Sequence, residues 1–263
     1  MDTVVSKDGT VIAYDKSGNG PALITVIGAL NQRSDDFNVA LAALLAERFT
    51  VYNYDRRGRG DSTDTPPYAV QREVEDIAAL VEAAGGSACI YGTSSGGILA
   101  LEASRQLDSL TKVAMYEPPC IIDDTRPARP ADYVRQLNTM VADNRRGDAV
   151  AYFMTVAAGV PAEYVSGMRT QPFWARLESL AHTIAYDGLV MGNTMSGNPL
   201  PTEWANVKTP TLIADGGQTL AFQTAAMALA DLLPNGEHRT LPDQPHNVDP
   251  EAITPVLIDY FTA

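Results

Sequence analysis

Short, continuous apolar runs alternate with helix-patterned segments along most of this chain, and that alternation constrains its fold more than any other feature. "ALITVIG" (22–28), "TVYNYD" (50–55), "ACIYG" (88–92) and "KVAMYE" (112–117) read as strands buried on both faces. The segments between them read as helices: "LAALLAERF", "AVQREVEDIAALVEAAGG", which stops at a glycine pair, and "GGILALEASRQL". The pattern resumes with strand "TPTLIA" (209–214), helix "TLAFQTAAMALADLL", strand "HRTL" and helix "DPEAITPVLIDYF". Near the start, "TVVS" and "VIAYD" flank "KDGT", a hairpin signal with Asp8-Gly9 at the turn. The expectation is an α/β fold: a doubly wound, mostly parallel, eight-stranded sheet with helices on both faces, the hairpin adding antiparallel edge strands.

Residues 125–204 interrupt the alternation and contain no convincing strand. "RPADYVRQLNTMVADNRRG", "DAVAYFMTVAAG" and "PFWARLESLAHTIA" all carry helical patterning. This divides the chain into a core in two parts, 1–124 and 205–263, with a helical cap over 125–204. Such an insert lies over the carboxyl edge of the sheet, where α/β folds bind ligands. The alternative is an extra packing layer that touches no ligand.

Composition narrows the class. The chain has 263 residues, 45% of them hydrophobic, and a net charge of −13. Nucleic acid is excluded as an expected partner, because phosphate binding needs clustered Lys and Arg. The negative field favours neutral over anionic substrates. Cys89 and Cys120 lie in or just after apolar runs and read as buried, reduced thiols. No His or Cys cluster has metal-ligand spacing, so neither a metal nor a cofactor is expected. "MDTVVSKDGT" lacks the basic and apolar regions of a signal peptide, and no apolar run approaches a membrane span. A soluble, cytoplasmic protein without membrane partners is expected; oligomeric state is not legible.

The chemistry centres on Gly92-Thr93-Ser94-Ser95-Gly96, a G-x-S-x-G that follows an apolar strand and opens a helix. That context is what a nucleophile elbow requires: a tight, strained turn flanked by small residues, with the serine Oγ exposed at the positive end of a helix. The glycine spacing selects Ser94 as nucleophile. Ser95 then contributes a backbone N–H, and its hydroxyl has no assigned role. A phosphate cradle is the alternative, but no Lys follows as in a P-loop.

With "VIGALN", "YDRRGRGDS", "GTSSGG" and "DQPHNVDPE" in this order, the sequence resembles the α/β-hydrolase family over nearly its whole length. The resemblance implies a second oxyanion N–H from the loop after the third strand, here Ala29, although Ile27 replaces the usual His. It implies a base in the loop before the final helix, here His246 rather than His182 or His238. The usual acid position after the "TPTLIA" strand holds Thr219, which carries no charge. Asp215 lies four residues too early. Some members carry the acid after the sixth strand instead, which points to Glu117, followed here by two prolines; Asp215 and the Asp123-Asp124 pair remain alternatives. The Ser-Glu combination, the Ser-Ser-Gly elbow and the "FW" pair are similar to zearalenone-lactonase-type enzymes.

The expected activity is hydrolysis of a small, neutral, hydrophobic ester or lactone through an acyl-enzyme, with the triad Ser94-His246-Glu117 and oxyanion donors Ala29 and Ser95. Trp174, Phe173, Tyr152 and Met154 of the cap are the expected substrate contacts. Two alternatives remain: a cofactor-free perhydrolase of the haloperoxidase type, and a small-molecule sensor on a hydrolase scaffold.

Overall fold

The computed structural model describes residues 1–263. Strands β1 (Asp2–Val5), β2 (Val11–Ser17), β3 (Ala22–Val26), β4 (Thr50–Tyr54), β5 (Ala88–Thr93), β6 (Leu110–Tyr116), β7 (Thr211–Gly217) and β8 (Gly236–Gln244) form one eight-stranded sheet. Its order is β1-β2-β4-β3-β5-β6-β7-β8. β1 and β2 pair antiparallel, as do β2 and β4, and every other pair is parallel.

Strands β3 to β7 are buried on both faces, and period-two alternation divides their side chains between two cores. Leu23, Val51, Cys89 and Ala114 pack on one side with α1 (Asp36–Leu45) and α10 (Pro250–Thr262). Ile24, Tyr52, Ile90 and Met115 pack on the other with α2 (Val70–Ala83), α3 (Ser95–Ser104) and α9 (Leu220–Leu232). The chain leaves β3 toward one face and β5 toward the other. The adjacent carboxyl ends of these two strands therefore form a topological switch point, where such sheets hold their ligands.

Local chemistry sets several boundaries. The α2 helix stops before Gly85 and Gly86, both at positive φ, and the Gly86 N–H closes on the Val81 carbonyl at 2.9 Å. The α10 helix starts with Pro250 behind Asp249, whose carboxylate accepts from the Glu251 N–H at 2.9 Å. No helix is long and apolar enough to cross a membrane.

Between β6 and β7 the chain forms α4 (Tyr133–Ala142), α5 (Arg146–Tyr152), α6 (Ala162–Met168), α7 (Trp174–Ser179) and α8 (Ile184–Met191), with no strand. A π-helical turn over Phe153–Ala157 extends α5. The stretch 172–185, which patterns as a single helix, is split by a 3-10 turn over Ala181–Thr183. Side-chain hydroxyls compete with the helical ladder at that break: Ser179 and Thr183 each donate to the carbonyl three residues back. The α6 helix, opened by Pro161, and most of α8 beyond residue 185 lie outside the stretches that hydrophobic periodicity singled out. Tyr133, Leu137, Leu177 and Ile184 share one continuous core with Ile98 and Met115, so the insert is fused to the sheet rather than hinged above it.

The α3 helix is buried along nearly its whole length, lying between sheet and insert. Ile98→Ala is expected to lower the unfolding free energy by about 2–5 kcal/mol, measured by denaturant titration. Both cysteines are free and buried, and burial pushes the Cys120 thiol up to about 12. In the native protein neither is expected to react with an aromatic disulfide reagent at pH 8, and both should react on unfolding; native-state labelling of Cys120 would contradict its placement.

Candidate active site

Ser94 stands between the end of β5 and the start of α3 with φ 54° and ψ −127°, a conformation few non-glycine residues adopt. Its two flanking glycines are sterically required. A Cβ on Gly92 would lie 2.3 Å from the Gly96 carbonyl oxygen, and one on Gly96 would lie 2.4 Å from the Val26 carbonyl oxygen. The motif therefore records how closely β5, α3 and the end of β3 approach one another. Ser94 is partly exposed, and its own N–H is fixed by the Tyr116 carbonyl at 2.9 Å.

The loop after β3 abuts this turn. A Cβ on Gly28 would sit 3.2 Å from the Ser94 Cβ, so only glycine lets the loop come this near without adjustment. The next residue, Ala29, has a backbone N–H that donates to no protein acceptor, and Leu30 then takes a positive φ of 58°. Ser95 is the first residue of α3, where backbone N–H groups precede the helical ladder.

Glu117 follows β6 at φ 44° and is 1% exposed. One carboxylate oxygen accepts from the Gly216 N–H at 3.0 Å, and the other lies 2.7 Å from Nδ1 of His246. A carboxylate there selects the tautomer with hydrogen on Nδ1 and leaves Nε2 free as a proton acceptor. The His246 side chain is 41% exposed, and Phe222 stacks on its ring at 4.7 Å and 10°. The His246 loop is tied down by Tyr116, whose hydroxyl donates to the Pro245 carbonyl at 2.8 Å. Gly216 is required here too, since a Cβ would fall 1.8 Å from the Gln244 carbonyl oxygen.

The other candidates are engaged elsewhere. Asp215 is buried and lies 2.6 Å from Nε2 of His238, while also accepting from the Gly217 N–H and the Thr240 hydroxyl. Asp123 accepts from its neighbour Thr125. Thr219 is exposed at the start of α9 and makes no side-chain capping bond. His182 lies in the 3-10 turn of the insert, close to Gly58. No cluster of three His, Cys, Asp or Glu is placed to hold a metal ion.

One group of residues was not legible in the sequence. Asp187, on α8, is buried with Arg56 and Arg59 from the loop after β4. Arg56 also forms a two-pronged pair with Glu73, at 2.6 Å for each prong. Burial opposes the Asp187 charge, but Arg59 and Arg56 outweigh it and hold the carboxyl below its usual range. Burial and the neighbouring Arg56 cation push the Arg59 guanidinium down. The Ser95 hydroxyl, which the sequence left without a role, donates to Asp187 at 2.7 Å.

Of the four cap residues expected at the substrate, Phe173 is exposed at the surface. Trp174 is buried within the insert: its indole N–H donates to Glu178 at 3.1 Å and Arg169 lies over its ring. Met154 is in the core of the insert, and Tyr152 stacks on Tyr133 at 5.3 Å with its hydroxyl buried and unpartnered.

Comparison with known proteins agrees with this architecture. The model of the alpha/beta hydrolase family matches residues 28–252. An alpha/beta hydrolase from Sphaerobacter thermophilus DSM 20745 is 48% identical and superposes with a TM-score of 0.90 over 99% of this chain and 100% of its own. The bifunctional esterase/perhydrolase DCH of Acinetobacter calcoaceticus is 26% identical over 94% of both chains. The enol-lactonase of Burkholderia xenovorans LB400 shares the fold at a TM-score of 0.70 and 21% identity, over the full length of both chains. With its switch-point turn, eight-stranded sheet and helical insert, this chain belongs to the alpha/beta hydrolase family.

Proposed function

We propose that the chain is a serine hydrolase that cleaves a small, neutral, hydrophobic carboxylic ester or lactone, with Ser94, His246 and Glu117 as its triad. The observation that carries this reading is the 2.7 Å contact between His246 Nδ1 and a buried glutamate, beside a serine on a strained strand-to-helix turn. Ser94 Oγ attacks the substrate carbonyl carbon while His246 Nε2 takes its proton. The Ala29 and Ser95 N–H groups hold the oxyanion of the tetrahedral intermediate. Collapse breaks the C–O bond, and the imidazolium protonates the departing alkoxide. Water, deprotonated by the same nitrogen, then attacks the acyl-enzyme and releases the acid and free Ser94. In a lactone the alcohol stays tethered, and the product is one hydroxy acid. Glu117 orients the ring and stabilises the imidazolium.

A second reading is favoured by two relatives. Besides the esterase/perhydrolase DCH, a putative non-heme bromoperoxidase, BpoC of Mycobacterium tuberculosis, is 24% identical over 96% of this chain. In that chemistry hydrogen peroxide replaces water on the acyl-enzyme and releases a peracid. Bromination of a reporter dye in acetate, bromide and hydrogen peroxide, where the peracid oxidises bromide to hypobromous acid, separates the two.

The acid assignment is tested by steady-state hydrolysis of a p-nitrophenyl ester and a lactone panel. Glu117→Ala is expected to lower kcat by about 10²- to 10⁴-fold. Thr219→Ala, at an exposed position, should stay within about twofold of the parent. The reverse pattern would overturn the assignment.

A further inference from the structure

The buried charges around Asp187 reach both groups assigned to the oxyanion. On one side, Asp187 Oδ1 accepts from the Ser95 hydroxyl at 2.7 Å, gripping the first residue of α3. On the other, Asp187 Oδ2 accepts from Arg59 Nη2 at 2.6 Å, and Arg59 Nη1 donates to the Gly28 carbonyl at 2.5 Å. That carbonyl belongs to the peptide unit whose N–H is Ala29's. The unit is planar and trans, so its C=O and N–H point in opposite directions. Anchoring the oxygen fixes where the Ala29 N–H points, and a cationic donor on the oxygen polarises the N–H into a stronger donor. Arg56 reinforces the arrangement, donating to Asp187 Oδ1 at 2.6 Å and to the Ile27 carbonyl at 3.3 Å.

Stability alone gives little reason for such a cluster. Arg56, Arg59, Glu73 and Asp187 are all almost wholly buried. Desolvating four charges largely cancels their mutual attraction. What the cluster supplies is direction, because its partners hold a helix start and a loop against one carboxylate.

We infer that Asp187, carried by α8 of the insert, is a positioning residue for the oxyanion hole, aligning the Ser95 and Ala29 N–H groups through the Ser95 hydroxyl and through Arg59 on the Gly28 carbonyl. The insert and the oxyanion hole are then one mechanical unit. This rests on the serine-hydrolase reading given above.

The test compares the parent, Ser95→Ala and Asp187→Asn in hydrolysis of p-nitrophenyl butyrate and in inhibition by an alkyl trifluoromethyl ketone. That ketone accepts a serine Oγ to form a hemiketal whose oxyanion occupies the hole. Ser95→Ala keeps its backbone N–H and every buried charge, so it reads alignment with little risk to folding. It is expected to lower kcat and to raise the ketone Ki by about tenfold, short of the 10²- to 10³-fold cost of losing a whole donor. KM, the melting temperature and the pH–rate profile should stay close to the parent's. Asp187→Asn, if it folds, should show a larger loss of the same kind. Ser95→Ala with parental kcat and Ki overturns the inference and leaves Asp187 as a cap anchor. A folded parent that neither hydrolyses the ester nor binds the ketone overturns the Ser94 reading itself, and this inference with it.

Discussion

Tyr116 holds three strand ends in register at once, and the geometry of the site depends on that. Its carbonyl fixes the Ser94 N–H, its hydroxyl fixes the Pro245 carbonyl beside His246, and its chain neighbour is Glu117. The candidate nucleophile, base and acid come from β5, the loop after β8 and the end of β6, and one buried residue of β6, through its backbone and its side chain, joins them. The same edge concentrates strain. Leu30, Ser94 and Glu117 are three of only five non-glycine residues at positive φ. Each such residue costs about 1–3 kcal/mol and persists only where its surroundings over-determine it. Here the ladder does so, through Ser94 N–H to Tyr116 and Glu117 N–H to the Ala214 carbonyl, each at 2.9 Å.

A second constraint is electrostatic. The loop after β4 drives Arg56, Arg57 and Arg59 inward, and each meets buried carboxylate: Glu73 and Asp187, Asp76, and Asp187 again. The quartet of Arg56, Arg59, Glu73 and Asp187 is neutral overall, so the net charge of −13 lies outside it. This couples the loop after β3, the start of α3 and the insert without leaving a charge uncompensated in the core. It also explains why the insert belongs to the main core rather than riding over it as a separate lid.

The sheet was legible because parallel strands and their flanking helices carry strong, different periodicities, and turn glycines punctuate them. The elbow was legible because its glycines answer local steric demands. Glu117 and His246 stand out as a carboxylate and a histidine at strand ends that a known family uses. The Asp187 cluster was not legible, because its members meet only after β4, α2, α3 and α8 have packed, and no spacing along the chain marks them. For the same reason the Ser95 hydroxyl passed as incidental. The aromatic "FW" pair shows the opposite limit: apolar character alone does not foretell that Trp174 packs inside the insert while Phe173 lies exposed. The break within 172–185 follows from serine and threonine hydroxyls that hydrophobic periodicity does not weigh.

The central claim is that Ser94 is activated by a histidine oriented by Glu117. Its most direct test is the rate of covalent labelling by a fluorophosphonate, with the modified peptide mapped by mass spectrometry, in the parent and in Glu117→Ala. The account predicts rapid, single-site labelling at Ser94 in the parent and markedly slower labelling at the same residue in the variant. A folded parent that is not labelled at Ser94, or a variant labelled at the parental rate, would contradict it.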